Sequence, residues 1–210
     1  AIGHESLVNN TTASNNVAIG HTALFANTTG TRNIAVGHTT LDANTTGNYN
    51  VAVGNNTLGA NTTGNYNTAV GDWSLVSNTD GINNVAVGQG ALSANTASNN
   101  TALGLEALTA NTTGTNNTAV GKWALKANTT ASECTAIGYN SLRDNTTGNH
   151  NSGIGIHALY TNTTGTHNIG LGREAISSSA TASNQCTLGD TNISNLRCND
   201  TSISALSDQR

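Results

Sequence analysis

The sequence contains no proline and no methionine, and only 9% of its residues are charged and 3% aromatic. Globular domains carry charge on roughly a quarter of their residues, and disordered chains are usually rich in charge or proline, so neither class fits. No apolar run approaches the roughly 18 residues that span a membrane. The lysines and arginines form no basic run along the sequence, and the net charge is −4. We therefore expect neither nucleic-acid binding nor membrane insertion.

Residues for catalysis, metal binding or cross-linking are also sparse. The carboxylates are scattered, and none recurs in register with a histidine or serine, so no catalytic dyad is predicted. Three cysteines, Cys134, Cys186 and Cys198, are too few and too irregular for a disulfide framework. Cys186 and Cys198 either pair, within or between chains, or remain isolated thiols in a strand core. We expect no enzyme, no metal and no cofactor.

Glycine, asparagine and threonine are abundant instead, and they recur in a repeat of 17 residues. Ten units run from Ala1 to Ile169, with residues 18–34 (AIGHTALFANTTGTRNI) as an example. A degenerate eleventh unit covers residues 170–187, and the sixth unit, Ala86 to Thr101, lacks one threonine. We call each unit a coil and number its positions 1 to 17 from the residue that begins it.

Five coil positions hardly vary. Position 3 is glycine, position 7 leucine, position 10 asparagine and position 11 threonine in all ten coils. Position 16 is asparagine in nine of them, and Cys134 is the exception. Such repetition within one chain shows which positions the coil requires, and it is typical of stacked repeat architectures.

The pattern within a coil predicts β-structure. Positions 17, 1 and 2 form a short β-prone run, in which Val17 and Ile19 share one face and Ala18 points to the other. Glycine then allows a bend, the segment around Leu24 is expected to be a second strand, and Asn-Thr-Thr-Gly a turn whose glycine takes a positive φ. Stacked asparagines and threonines should bond from coil to coil. Helical solenoids have longer units of roughly 20–47 residues, so we predict an all-β parallel β-solenoid, a β-roll of about eleven coils.

The coil has few large apolar side chains to offset the ordering of its backbone. A lone roll therefore looks marginal, and the small, regular alanines of position 1 suit a close contact between chains. We predict an intertwined or side-by-side oligomer, most simply a homotrimer. At about 4.8 Å per coil, eleven coils form a rod of roughly 50 Å.

Aromatic and imidazole side chains at variable positions are the candidate binding residues. Trp73 and Trp123 share position 5, and Tyr49 and Tyr66 share position 15. Exposed aromatic rings on a rigid scaffold stack on sugar rings, so these four residues are candidates for contact with a host-surface glycan. The alternatives are packing against a neighbouring chain and incidental exposure.

Three histidines occupy position 4 of the first three coils, namely His4, His21 and His38. Stacking would bring them about 5 Å apart along the axis, and imidazoles are good ligands for zinc, nickel or copper. Later coils carry unrelated residues at this position, so a solvent-facing column is the interpretation we favour.

The string from Asn15 to Ala26, NNVAIGHTALFA, resembles the head repeat of trimeric autotransporter adhesins. The resemblance covers residues 1–187 and implies left-handed parallel β-rolls wound as trimers. This sequence departs from the adhesin pattern by its longer Asn-Thr-Thr-Gly turn.

The C-terminal residues 186–210 resemble a different family. They are similar to the junction that precedes the intramolecular chaperone of phage tail spikes, tail fibres and endosialidases, where a Leu-Ser-Asp-x-Arg string begins the chaperone. Here that string starts with Leu206, Ser207 and Asp208. The resemblance implies that a chaperone trimerises the fibre and then cuts itself off near the serine, so the chaperone would follow this chain. The array begins at coil position 1 without a capping repeat, so we expect more fibre upstream.

Together these features divide the chain into a repeat array, residues 1–187, and a junction, residues 188–210. We expect a structural segment of a phage tail fibre, located in the virion tail, with itself as a trimer and upstream fibre or tail proteins as partners and a host glycan as a candidate ligand. The alternatives are the head of a bacterial trimeric adhesin on the cell surface and a glycan-degrading tail spike.

Overall fold

Eleven short parallel strands stack in one sheet in the part of the chain that the structure describes. A computed structural model of the protein describes residues 1–193. The strands pair in sequential order, each residue with the one 17 positions later, or 16 across the short sixth coil. This confirms the predicted parallel β-solenoid, which makes about ten turns. The strands are β1 (Val17–Ile19), β2 (Ile34–Val36), β3 (Val51–Val53), β4 (Thr68–Val70), β5 (Val85–Val87), β6 (Thr101–Leu103), β7 (Thr118–Val120), β8 (Thr135–Ile137), β9 (Ser152–Ile154), β10 (Ile169–Leu171) and β11 (Cys186–Leu188).

Each strand ends at the glycine of position 3. Gly20 has a φ of 134°, a region that L side chains rarely adopt. A Cβ added there would also overlap the carbonyl group of Gly37 in the next coil. Both the backbone angle and the stacking distance therefore require glycine, which explains why position 3 never varies.

The strand faces are the reverse of what we predicted. The alanines of position 1 lie inside the coil, with Ala18 and Ala35 fully buried. The aliphatic residues of positions 17 and 2 point outward, since Val17 is 44% and Ile19 39% exposed. The prediction that alanines form the contact between chains is therefore wrong.

The reason for this orientation is the thinness of the coil. The leucine of position 7 enters the interior from the opposite wall, and Leu24, Leu41 and the equivalent leucines through Leu159 are fully buried. Even a Cβ added at Gly170, where the coil has no alanine, would come 2.7 Å from Leu159 Cγ. A methyl group is all that fits opposite the leucine, so the larger aliphatic side chains of the strand must point outward.

The segment around Leu24 is a turn rather than the second strand that we predicted. Thr22 and Leu24 both have a φ of 52°. Their N–H groups bond to neighbouring coils, that of Leu24 to the Thr40 carbonyl at 3.0 Å. A left-handed backbone costs an L-residue roughly 1–2 kcal/mol, so burial of the leucine and the bonds between coils must outweigh this cost in every coil.

Two asparagine ladders run along the stack, as predicted, and both are buried. At position 10, Asn27 Nδ2 donates to Asn10 Oδ1 at 2.9 Å and to the Gly30 carbonyl at 3.0 Å, and Asn44 repeats the pattern. At position 16, the Asn50 N–H donates to Asn33 Oδ1 at 2.9 Å. These bonds satisfy amide groups that would otherwise be costly to bury.

The turn glycine of position 13 does not supply the positive φ that we predicted. That conformation falls instead on position 15, where Tyr49 has a φ of 58°. Position 13 is small because space is short: a Cβ at Gly30 would overlap the Gly47 carbonyl oxygen and come 2.5 Å from Asn27 Oδ1.

Candidate functional site

Tyr49 and Tyr66 form an exposed pair at position 15, on the edge that precedes the strand. Their ring centroids lie 4.9 Å apart at an interplanar angle of 13°, and the side chains are 40% and 58% exposed. The Arg32 guanidinium lies 5.1 Å from the Tyr49 centroid and bonds to its hydroxyl. Each ring covers one face of the other and Arg32 lies over Tyr49, so the more exposed Tyr66 is the ring that a ligand can reach.

His4, His21 and His38 form a stacked column on the edge that follows the strand. Their ring centroids are 5.2 and 5.1 Å apart, with interplanar angles of 8° and 12°. Parallel stacking does not aim the ring nitrogens at one point. Within residues 1–193, no group of three or more His, Cys, Asp or Glu side chains could hold a metal ion. The column therefore fits the surface interpretation better than a metal site.

The two tryptophans occupy the same coil position in very different surroundings. Trp73 is 50% exposed, and in the described part of the chain its ring makes no aromatic stack and no cation–π contact. Trp123 is less exposed, and its Nε1 donates to Glu106 Oε2 at 3.2 Å. The ammonium groups of Lys122 and Lys126 lie 4.1 and 4.9 Å from its ring centroid. Trp73 and Trp123, which share one coil position in the sequence, thus differ in the structure in both exposure and neighbouring charges.

Trp123 begins a run of aromatic contacts that continues through the next two coils. The centroid distances are 5.9 Å from Trp123 to Tyr139, 5.4 Å from Tyr139 to His157 and 5.3 Å from His157 to Tyr160. We call these four residues the aromatic strip. Sequence reasoning missed it because its members occupy coil positions 4, 5 and 8, and only the turn that follows the strand brings those positions together.

Basic side chains line the same strip. Lys126 Nζ lies 2.7 Å from Glu106 Oε2, and this hydrogen bond holds the pKa of Glu106 below its usual range. Arg143 lies 5.6 Å from the Tyr160 centroid. Its Nε and one terminal nitrogen each donate to Asp144 at 2.7 Å, which raises the pKa of the guanidinium. The carboxylates thus fix the cations in place beside the rings.

An open depression lies between the two ion pairs. Its volume is about 480 Å³, within the range of roughly 300–1,000 Å³ typical of small-molecule sites. The lining residues are Thr109, Ala110, Trp123, Lys126, Ala127, Arg143 and Asp144. The depression therefore combines an aromatic ring with side chains that donate and accept hydrogen bonds.

The cysteines have different surroundings. Cys134 replaces the asparagine of position 16, and its Sγ lies 3.3 Å from the Gly148 carbonyl oxygen. Burial raises the pKa of this thiol to about 11. Cys186 lies exposed on β11 and has no disulfide partner within residues 1–193. Cys198 lies outside the described residues, so the proposed pairing with Cys186 stays a prediction.

The predicted processing junction lies almost entirely outside the described residues, and this includes Leu206, Ser207 and Asp208. In the part of the chain from 1 to 193, no helix has the length and apolarity needed to cross a membrane. The stacked coils define the class of the protein: it is a parallel β-solenoid repeat protein. Comparisons with protein-family models, with curated proteins and with solved structures find no match.

Proposed function

We propose that the chain is a structural segment of a phage tail fibre in which three solenoids associate through their exposed sheet faces. The observation that carries this proposal is the outer face of the sheet, which we call the aliphatic face. It consists of side chains at positions 17 and 2. Position 17 of coils 4 and 6–9 is threonine or serine. The exposed aliphatic members of the face are Ile2, Val17, Ile19, Ile34, Val53, Val70, Val87, Leu103, Ile137, Ile154, Ile169, Leu171 and Leu188.

The aliphatic face is unusual for a protein that acts alone. It continues along the array from Ile2 to Leu188, whereas apolar patches on soluble monomers seldom exceed the order of a few hundred Å². Burying apolar surface gains roughly 25 cal/mol per Å², so covering this face stabilises an assembly strongly. A second and third copy of the chain offer the same face at the same spacing. The expectation of three chains per assembly and the expectation of a viral protein both rest on the family resemblances of the sequence.

The hydrogen bonds between successive coils suit a rod that must hold together along its axis. Backbone and asparagine hydrogen bonds link each coil to the next, as from Leu24 to Thr40 and from Asn44 to Asn27. Because each coil contacts its neighbours in the same way, rod length follows the number of repeats. A shaft that holds a receptor-contacting region away from a virion needs a defined length of this kind.

Light scattering on the 210-residue chain tests the assembly. A mass of three chains is expected, and a monomer would overturn the proposal. Val70→Asp, on the aliphatic face, should dissociate the assembly because it would bury an unpaired carboxylate. Ile82→Asp is the matched control: Ile82 is 38% exposed, close to the 36% of Val70, but it lies at coil position 14, away from the aliphatic face.

The viral setting is tested separately. The coding sequence downstream of Arg210 should encode a chaperone domain. A coiled coil followed by a membrane barrel there would favour the bacterial adhesin instead. Turnover of a host polysaccharide by the purified assembly would favour the glycan-degrading spike.

A further inference from the structure

The aromatic strip concentrates side chains that are rare in this protein. It contains one of the two tryptophans and two of the four tyrosines in the sequence. Three of the seven lysines and arginines, namely Lys122, Lys126 and Arg143, lie beside it. In a chain with 3% aromatic and 9% charged residues, this combination within three coils marks one surface as different from the rest.

The charge of this surface is opposite to that of the chain. Four cations, Lys122, Lys126, Arg143 and Arg173, lie beside three carboxylates, Glu106, Asp144 and Glu174, which leaves one positive charge where the whole chain carries −4. Lys122 makes no ion pair with any described residue, and it is exposed beside the Trp123 ring. An anionic group that approaches the strip therefore meets an ammonium group that is not held in an ion pair.

The two ion pairs organise the strip. Glu106 accepts bonds from both Lys126, at 2.7 Å, and Trp123, at 3.2 Å, so it fixes the indole ring and the ammonium group relative to each other. Asp144 fixes the Arg143 guanidinium through two bonds of 2.7 Å. A surface with its rings and donors already fixed loses less conformational entropy when a ligand binds.

We propose that the aromatic strip and the adjoining depression bind a carboxylate-bearing polysaccharide. Aromatic rings in coils 8, 9 and 10, at centroid distances of 5.9 and 5.4 Å, offer successive contacts to the apolar faces of sugar rings along an extended chain. Lys122 and the free edge of the Arg143 guanidinium meet the sugar carboxylates, since guanidinium and ammonium groups bind carboxylates well. Asp144 accepts hydrogen bonds from sugar hydroxyls. This inference rests on the proposed fibre function, for which it names the class of surface ligand.

The binding mode is compatible with assembly through the aliphatic face. The strip occupies positions 4, 5 and 8, which follow the bend at the position 3 glycine, whereas the aliphatic face occupies positions 17 and 2, which precede it. Ligand binding and association of chains therefore use different parts of the coil.

Calorimetric titration of the full chain tests the proposal with oligosaccharides of three carboxylated backbones: polygalacturonate, polymannuronate and polysialate. Their methyl esters are matched neutral controls with the same sugar rings. At least one acidic form should bind, more weakly as salt rises, and its ester should bind at least tenfold more weakly. Absence of binding to all three acidic forms, or equal binding of ester and acid, would overturn the proposal.

Matched variants locate the site. Trp123→Ala should weaken binding about tenfold, and Lys122→Gln about threefold with a flatter salt dependence. Trp73→Ala, at the same coil position but without cations, should leave binding unchanged. An effect of Trp73→Ala as large as that of Trp123→Ala would contradict the assignment.

Light scattering on the same samples separates the two proposals. The strip variants should keep the mass of the wild-type assembly, because they lie off the aliphatic face. Trimers that bind no carboxylated oligosaccharide would refute the ligand and leave the fibre intact, whereas a monomeric wild type would refute the fibre itself.

Discussion

Coils 2–4 and coils 8–10 have closely similar interiors, with Cys134 and Gly153 as the exceptions in coils 8–10, but different outer edges. Leu24 and Leu125 are equally buried, with the same left-handed backbone, and Asn27 and Asn128 occupy the same ladder. On the edge that follows the strand, coils 2 and 3 carry the histidine column, whereas coils 8–10 carry the aromatic strip with its cations. The stack constrains the interior identically in every coil and leaves the edge free to vary.

This difference shows that interior residues of the repeat determine stability, whereas edge residues can vary and are available for binding. An interior side chain meets the same residue in the coil above and the coil below, so any change disturbs two identical contacts. An edge side chain at position 4, 5 or 8 meets solvent on one side and tolerates change. Sequence differences between coils are therefore the best guide to candidate binding residues on this scaffold.

The largest expected effect tests whether the two interiors are equivalent. Leu41→Ala in coil 3 and Leu125→Ala in coil 8 should each lower the free energy of unfolding by about 2–5 kcal/mol, because each leaves a cavity. Urea titration followed by circular dichroism measures both. The exposed Thr46→Ala, in the same coil as Leu41, is the control, with an expected change within about 0.5 kcal/mol. A large difference between the two leucine variants would show that the interiors are not equivalent.

The second prediction exchanges a ladder residue between the regions. In coil 8, Cys134 has no amide oxygen. The Asn151 N–H therefore faces the thiol sulfur, a weaker acceptor than the amide oxygen that the Asn168 N–H bonds to at 2.9 Å. Cys134→Asn should restore that bond and stabilise the protein by about 1 kcal/mol. Asn50→Cys, at the same position in coil 3, should destabilise it by about 1–3 kcal/mol.

Thermal unfolding of both variants measures this pair of effects. Because one substitution removes a ladder amide and the other supplies it, their shifts in Tm should have opposite signs. Destabilisation by Cys134→Asn would mean that the thiol is required where it stands.

Much of the coil could be predicted from sequence because repetition within the chain shows which residue type each coil position requires. The invariant glycine of position 3 correctly indicated a tight bend, and the repeated asparagines correctly indicated hydrogen bonds from coil to coil, whereas the burial of these ladders was not predicted. Parallel pairing followed from the 17-residue period.

Other features could not be predicted because they depend on distances across the coil. Alternation showed that Val17 and Ala18 face opposite ways, but only the space left by the position 7 leucine determines which is inside. The left-handed backbone at Leu24 has no local signal, since leucine does not favour it. The aromatic strip was hidden because Trp123 and Tyr139 differ in coil position and meet only after the turn is formed.

A third prediction concerns the short coil between the two regions. The missing threonine of coil 6 interrupts the position 10 ladder: Asn95 Nδ2 donates to the Ala97 carbonyl at 2.8 Å, and the buried Asn78 Oδ1 has no partner among the described residues. Inserting a threonine between Thr96 and Ala97 should restore the bond and stabilise the array by about 1 kcal/mol. The same insertion between Thr45 and Thr46, where the turn is already complete, should destabilise it, and chemical unfolding compares the two.

The smallest effect is a shift in the titration of Glu106, which distinguishes the edge of coils 7–8 from the rest. The Lys126 hydrogen bond lowers the pKa of this carboxyl below its ordinary 4.5, and Lys122 contributes less. Because the folded-state pKa is depressed, the link to Lys126 is fully present above the ordinary value and is lost as the pH falls through the lowered one. Lys126→Gln should therefore raise the Glu106 pKa, measured by carboxyl NMR, and Lys122→Gln should raise it less. The reverse order would show that Glu106 is fixed by Lys122, and the organisation of the strip around the Lys126 pair would then be wrong.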